Sequence, residues 1–152
     1  MTKPLSPELK QYLLITGNYW AFTLTDGALR MLVVLHFYSL GYTGIAIAML
    51  FLFYEVFGVI TNLLGGWLGS RIGLNHTMNL GLLLQIVALA MLLLPAVYLV
   101  VPWVMAAQAL SGVAKDLNKM SAKSSIKMLL PADAQSALFK WVAILTGSKN
   151  AL

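Results

Sequence analysis

Six charged side chains sit inside stretches that are otherwise apolar. Asp26 and Arg30 lie in "GNYWAFTLTDGALRMLVV", Glu55 in "FLFYEVFGVITNLLGG", and Lys115, Asp116 and Lys119 in "GVAKDLNKMSAKSSIK". An acid followed four residues later by a base is the favourable order for a helical ion pair. Asp26 and Arg30 therefore serve either as a lock between helices or as part of a polar cavity. Glu55 shares a helix face with Asn62 and is either a proton carrier or the partner of a buried cation. Asp116 can pair with Lys119 three residues on, and it projects about 100° away from Lys115. Lys115 shares its own face with Ser111, Asn118, Ala122 and Ser125, at spacings of 4, 3, 4 and 3, and no acid lies on that face. A cation held in an apolar setting without a neighbour of opposite sign requires a carboxylate across a cavity, water, or an anionic ligand. Lys149, close to the C-terminus, adds further positive charge, and Asn18 and Asn118 offer hydrogen-bonding amides. Arg30, Lys115, Lys119, Asn18, Asn118 and Lys149 are thus the candidate anion-binding residues. Asp26, Glu55 and Asp116 are the candidate ion-pair or proton-coupling residues.

Other chemistries find little support. The chain has no cysteine, which removes disulfides and thiolate metal ligands. His36 and His76 are isolated, so no metal site and no cofactor are expected. No nucleophile, base and orienting group occur together, so no enzymatic activity is expected either.

These charges need a scaffold, and composition indicates which kind. Hydrophobic residues make up 60% of the 152 and charged residues 10%, with a mean hydropathy of +0.83. Soluble domains have about 25% charged residues, so the composition implies an all-α membrane protein. Four stretches reach the roughly 20 residues a bilayer-crossing helix needs: about 12–40, 45–68, 77–100 and 103–125. A fifth starts near residue 137 and covers roughly 24 Å of helix before the sequence ends. Residues 1–11 form a tail. The breaks are "LGYTG", "GSRIGLNH", "PAVYLVVP" and "MLLPADAQ", punctuated by glycine and proline. Lys3 and Lys10 in the tail, Arg71 in the second break and Lys123, Lys127 and Lys140 around the fourth are positive, whereas the first and third breaks carry no Lys or Arg. Positive loops stay inside, which places the N-terminus in the cytoplasm of a multi-pass plasma (inner) membrane protein. Topology then accounts for the basic balance without a nucleic-acid partner, and the bilayer is the expected surrounding. On this reading Lys115 lies roughly 20 Å below Pro102, inside the hydrocarbon, while Lys127 reaches the cytoplasmic interface. The third stretch has only Asn79 and Gln85 in its interior and is expected to face lipid.

The second break, "GGWLGSRIGLNHTMN", resembles the signature loop between the second and third helices of major facilitator superfamily transporters. That loop reads roughly Gly-x-Leu-Ala-Asp-Arg-x-Gly-Arg-Arg. Gly66, Leu68, Arg71 and Gly73 match it, while Ser70 takes the place of the aspartate and Leu74 and Asn75 replace the two later basic residues. A resemblance over nearly the whole chain is closer. "GNYWAFTLTDGALRMLVVLHFYSLGY", "MLFLFYEVFGVITNLLGGWLG", "GVAKDLNKMSAKSSIK" and "LTGSKNAL" resemble the ArsJ-type organoarsenical efflux permeases of that superfamily. The resemblance implies export of 1-arseno-3-phosphoglycerate, a small anionic substrate formed when a glycolytic glyceraldehyde-phosphate dehydrogenase takes arsenate in place of phosphate. It also implies twelve helices in two halves, each half built of two inverted three-helix repeats, with helices one and four lining the cavity. The chain is accordingly expected to be the N-terminal part of such a fold, completed by further transporter helices. A broader organic-anion or organophosphate exporter, or a non-transporting membrane fragment that needs a partner, are the alternatives.

Overall fold

The computed structural model describes residues 6–130 and 135–148, with the side chains of residues 66, 68 and 96 excepted. Every regular element among them is helical. Helix α1 (Pro7–Ser39) starts where the Ser6 hydroxyl accepts the Leu9 N–H at 3.3 Å, with proline in the first turn, where its missing N–H does no harm. Hydrogen bonds from its own backbone N–H and from the Ser6 hydroxyl hold the Glu8 carboxyl below the usual carboxylate range. The helix ends in a Schellman pattern: Tyr42 N–H bonds to Phe37 O and Gly41 N–H to Tyr38 O, with Gly41 at φ +83°.

The second stretch forms two helices on one run, α2 (Gly44–Leu50) and α3 (Leu52–Ile72). Only Phe51 intervenes. Its N–H reaches the Ala48 carbonyl, three residues back, so the turn tightens there. The loop expected over 69–76 is reduced to a single residue. Gly73 caps α3 at φ +85°, and α4 (Leu74–Met91) starts immediately after it. The third helix is thus shifted from the expected 77–100. It stops short of Pro95, whose ring and missing N–H would break its hydrogen-bond ladder. A 3-10 turn (Ala96–Tyr98) leads into α5 (Val101–Leu129), and α6 spans Gln135–Ser148.

Helix α5 lies at the centre, packed most extensively on α4 and α3 and also on α1 and α6. Close approach makes this possible. A Cβ at Gly112 would fall on the backbone carbonyl of Tyr54 in α3. Two apolar clusters bracket the α1–α5 interface. Leu29, Val33, Phe37, Ile47, Leu50, Ala88 and Val104 form one; Tyr12, Ile15, Tyr19, Ala122, Ile126 and Leu145 form the other. The clusters join the start of α5 to the end of α1, and the end of α5 to its start, so the two helices run antiparallel. Polar side chains fill the band between the clusters.

Outside, the surface is apolar. Among the described residues, two helical segments are long and apolar enough to cross a membrane: Gly44–Gly65, mean hydropathy 2.1, and Leu74–Met91, mean hydropathy 1.3. Only 28% and 22% of their windows are buried, so their apolar side chains mostly face outward. Large contiguous apolar surface of this kind marks an interaction with lipid or another protein. Helix α4 departs from the lipid-facing expectation on one side, where Thr77, Gly81, Gln85 and Ala88 are buried.

Candidate functional site

The polar band is built around Tyr54, which α3 buries to 1% exposure. Its side chain links α3 to α1 and α5: Lys115 lies over the ring, and the hydroxyl donates toward the Asp26 carboxylate, 2.9 Å from Oδ1 and 3.0 Å from Oδ2. Asp26 also faces Arg30 on its own helix, with Nη2 at 3.4 Å from Oδ2. The i, i+4 pair is therefore present, as its spacing indicated. Across the interface, Ser111 Oγ lies 3.3 Å from Asp26 Oδ1 and 2.8 Å from Gln85 Oε1. A hydroxyl has one proton, so Ser111 serves only one of these acceptors at a time. Asp26 is the point at which α1, α3 and α5 meet, and Ser111 extends the network to α4.

Two cations rest on the Tyr54 ring. The Lys115 ammonium lies 4.6 Å from its centroid and the Arg30 guanidinium carbon 5.4 Å, both within cation–π range. The second expected ion pair is present one turn along α5, with Lys119 Nζ 3.8 Å from Asp116 Oδ1. In both pairs the acid is buried and the base open. Side-chain exposure is 6% for Asp26 against 43% for Arg30, and 8% for Asp116 against 38% for Lys119. Asp116 has room because Gly58 faces it; a Cβ there would sit 2.6 Å from Oδ2. Asn118 donates to Asn18 Oδ1 at 3.3 Å, joining α5 to α1 below the Asp26 cluster. Asn18 and Ser125 also line a cleft of about 810 Å³ between α1, the start of α4 and the end of α5, with His76 on its wall.

The structure brings Asp26, Arg30, Lys115, Asp116, Lys119, Asn18 and Asn118 to this band. Glu55 lies on the exposed side of α3, and no ion pair to it occurs among the described residues. Lys149 lies outside the described residues. Arg71 stacks over Trp67 at 5.4 Å, away from the band, and Gly73 forms the α3–α4 corner. The matching Gly66 and Leu68 side chains are not among those described. Among the described residues, Arg30, Lys115 and Lys119 are matched in number by Asp26, Glu55 and Asp116. Lys115 is the cation of this set with no described carboxylate within 4.0 Å.

Sequence reasoning missed Tyr54 and Gln108 and gave Gln85 no part in the site. Gln108 is fully buried on α5, one turn from Ser111, and both amide atoms lack a protein partner. A glutamine in "VMAAQALSG", three residues before Ser111, extends the 3–4 stripe and was the available signal. Tyr54 carried a subtler one: a tyrosine buried in an apolar setting needs a hydrogen-bond acceptor, and Asp26 provides it.

Chemically, the band offers two half-open cations beside a neutral ring, backed by a carboxylate already held by a phenol. Such a set can take up a phosphate-like anion through charge-assisted hydrogen bonds. No family model, curated protein or solved structure matches the chain.

Proposed function

We propose that the protein is a multi-pass membrane transporter that exports a small anion, its N-terminus cytoplasmic and α1–α6 forming part of the N-terminal half of a major facilitator fold. One observation carries the reading: Lys115, at the centre of the helix bundle, rests on the Tyr54 ring beside Arg30 with no described carboxylate within 4.0 Å. A charged side chain at the centre of a membrane helix costs about 2.5–3.5 kcal/mol on insertion scales, and a binding role for anions explains why the chain keeps Lys115 there. The apolar exterior of α3 and α4 and the positive-inside distribution of Lys and Arg support the membrane setting. The resemblance to organoarsenical efflux permeases supplies the substrate, 1-arseno-3-phosphoglycerate, whose two ends are both anionic. The side chains by themselves favour phosphate-like anions in general, so a broader organophosphate exporter is the second reading.

Everted membrane vesicles containing the protein should accumulate the arsenylated phosphoglycerate above vesicles without it. Excess 3-phosphoglycerate separates the two readings: weak competition supports the organoarsenical exporter, and full competition the broader one. No accumulation of either compound removes the proposal.

A further inference from the structure

We infer that the Tyr54 hydroxyl is a positioning group that keeps Lys115 available to substrate by occupying the carboxylate that would otherwise neutralise it. The inference rests on the anion-transport reading. Lys115 and Asp26 meet the same ring at different places, the ammonium at 4.6 Å from the centroid and the carboxylate at the hydroxyl edge. A lysine side chain is long and flexible, and the Tyr54 side chain holds its ammonium and the Asp26 carboxylate on one residue, so Asp26 is a competitor for Lys115. What opposes that pairing is the phenol, which lies within 3.0 Å of both carboxylate oxygens, with Ser111 and Arg30 as the remaining neighbours. The acid is thereby satisfied without Lys115. The ring offers the ammonium a cation–π contact in place of an ion pair, a weaker hold that an incoming anion can displace. A carboxylate in direct contact with Lys115 would have to be broken away before any anion could bind.

The test is Tyr54→Phe, which keeps the ring and removes the hydroxyl, alone and combined with Asp26→Asn, which removes the competing charge. Binding of the arsenylated phosphoglycerate and of 3-phosphoglycerate is measured by calorimetry on the protein in nanodiscs, and the tighter of the two for the wild type is the ligand compared across variants. The single variant should bind about tenfold more weakly, the loss expected for one charged contact. The double variant should recover most of that affinity, because the neutral amide introduced by Asp26→Asn no longer attracts Lys115. A purely structural role for the hydroxyl predicts the opposite, since two lesions in one buried network weaken binding at least as much as one. Wild-type affinity in Tyr54→Phe overturns the inference, and so does a double variant as weak as the single. If wild-type protein binds no 3-phosphoglycerate and no arsenylated analogue, the transport reading itself fails and this inference with it.

Discussion

Lysines recur along α5 at every fourth position from Lys115 to Lys127, yet their surroundings differ. Lys115 rests on a buried aromatic ring, Lys119 pairs with Asp116, and Lys127 is exposed in the last turn. On the transport reading, Lys115→Gln should lower substrate affinity roughly ten- to a hundredfold, the range for a lost charged hydrogen bond. Lys127→Gln should leave efflux near wild type, and Lys119→Gln should fall between. Efflux per unit of membrane protein in everted vesicles checks this ranking, and normal transport by Lys115→Gln with failure of Lys127→Gln contradicts it. The spacing of charges made the Asp26–Arg30 and Asp116–Lys119 pairs legible in the sequence, because partners three or four residues apart meet on any helix. Tyr54 was not legible in this way. Its partners Asp26 and Lys115 are distant in sequence and meet it only because α1 and α3 both pack on α5. Gln85 was set aside for a related reason: α4 looks apolar overall, and only its packing on α5 shows which side faces inward.

At the level of elements, the contact between α3 and α5 depends on a missing side chain. Gly112→Ala should destabilise the protein by about 1–3 kcal/mol, the usual penalty for overpacking, since the added methyl meets backbone that has no freedom to rotate away. Gly17 is the matched comparison, a helical glycine with nothing within 4 Å of a would-be Cβ. Gly17→Ala should stabilise by about 0.5–1 kcal/mol through the better helix propensity of alanine. Thermal unfolding in one detergent should therefore shift in opposite directions for the two variants. A third site tests the corner between α3 and α4. At φ +85° and ψ 150°, backbone geometry essentially confined to glycine, Gly73→Ala should lose about 1–3 kcal/mol; an unchanged melting temperature would falsify that account. The corner was the least readable of the turns. "GSRIGLNH" has the glycine and polar content of an ordinary loop, whereas the backbone needs only Gly73 to reverse direction.

For the molecule as a whole, the prediction concerns sidedness. On the proposed topology, cysteines introduced at Gly41 and Val97 should react with an impermeant maleimide added outside intact cells, and one at Asn75 should react only after permeabilisation. The chain has no native cysteine to confuse the readout, and Val97, at 83% exposure, and Asn75 both lie on open surface. Reversed labelling would invert the topology and move Lys127 to the outer face. Helix type was legible because long apolar runs punctuated by glycine and proline indicate helices. Which helix sits in the middle was not, because centrality follows from small residues at contacts. Gly112 and Gly81, where a Cβ would come within 3.2 Å of Asn118 N, have no signature in hydropathy.

The division of the helices into two kinds also has a consequence for biogenesis. Gly44–Gly65, with Glu55 as its one charge, and Leu74–Met91 are long and apolar enough to cross a membrane, whereas α1 and α5 carry the charges at Asp26, Arg30, Lys115, Asp116 and Lys119. In a nascent chain, α1 emerges first, and its acid meets Tyr54 only when α3 arrives and Ser111 only when α5 does. On the membrane reading, then, the order of synthesis is not the order of settling. The two apolar spans anchor early, while α1 remains poorly committed to the bilayer until α5 has been made, so a ribosome stalled before residue 111 should leave α1 extractable by alkali and one stalled well beyond it should not.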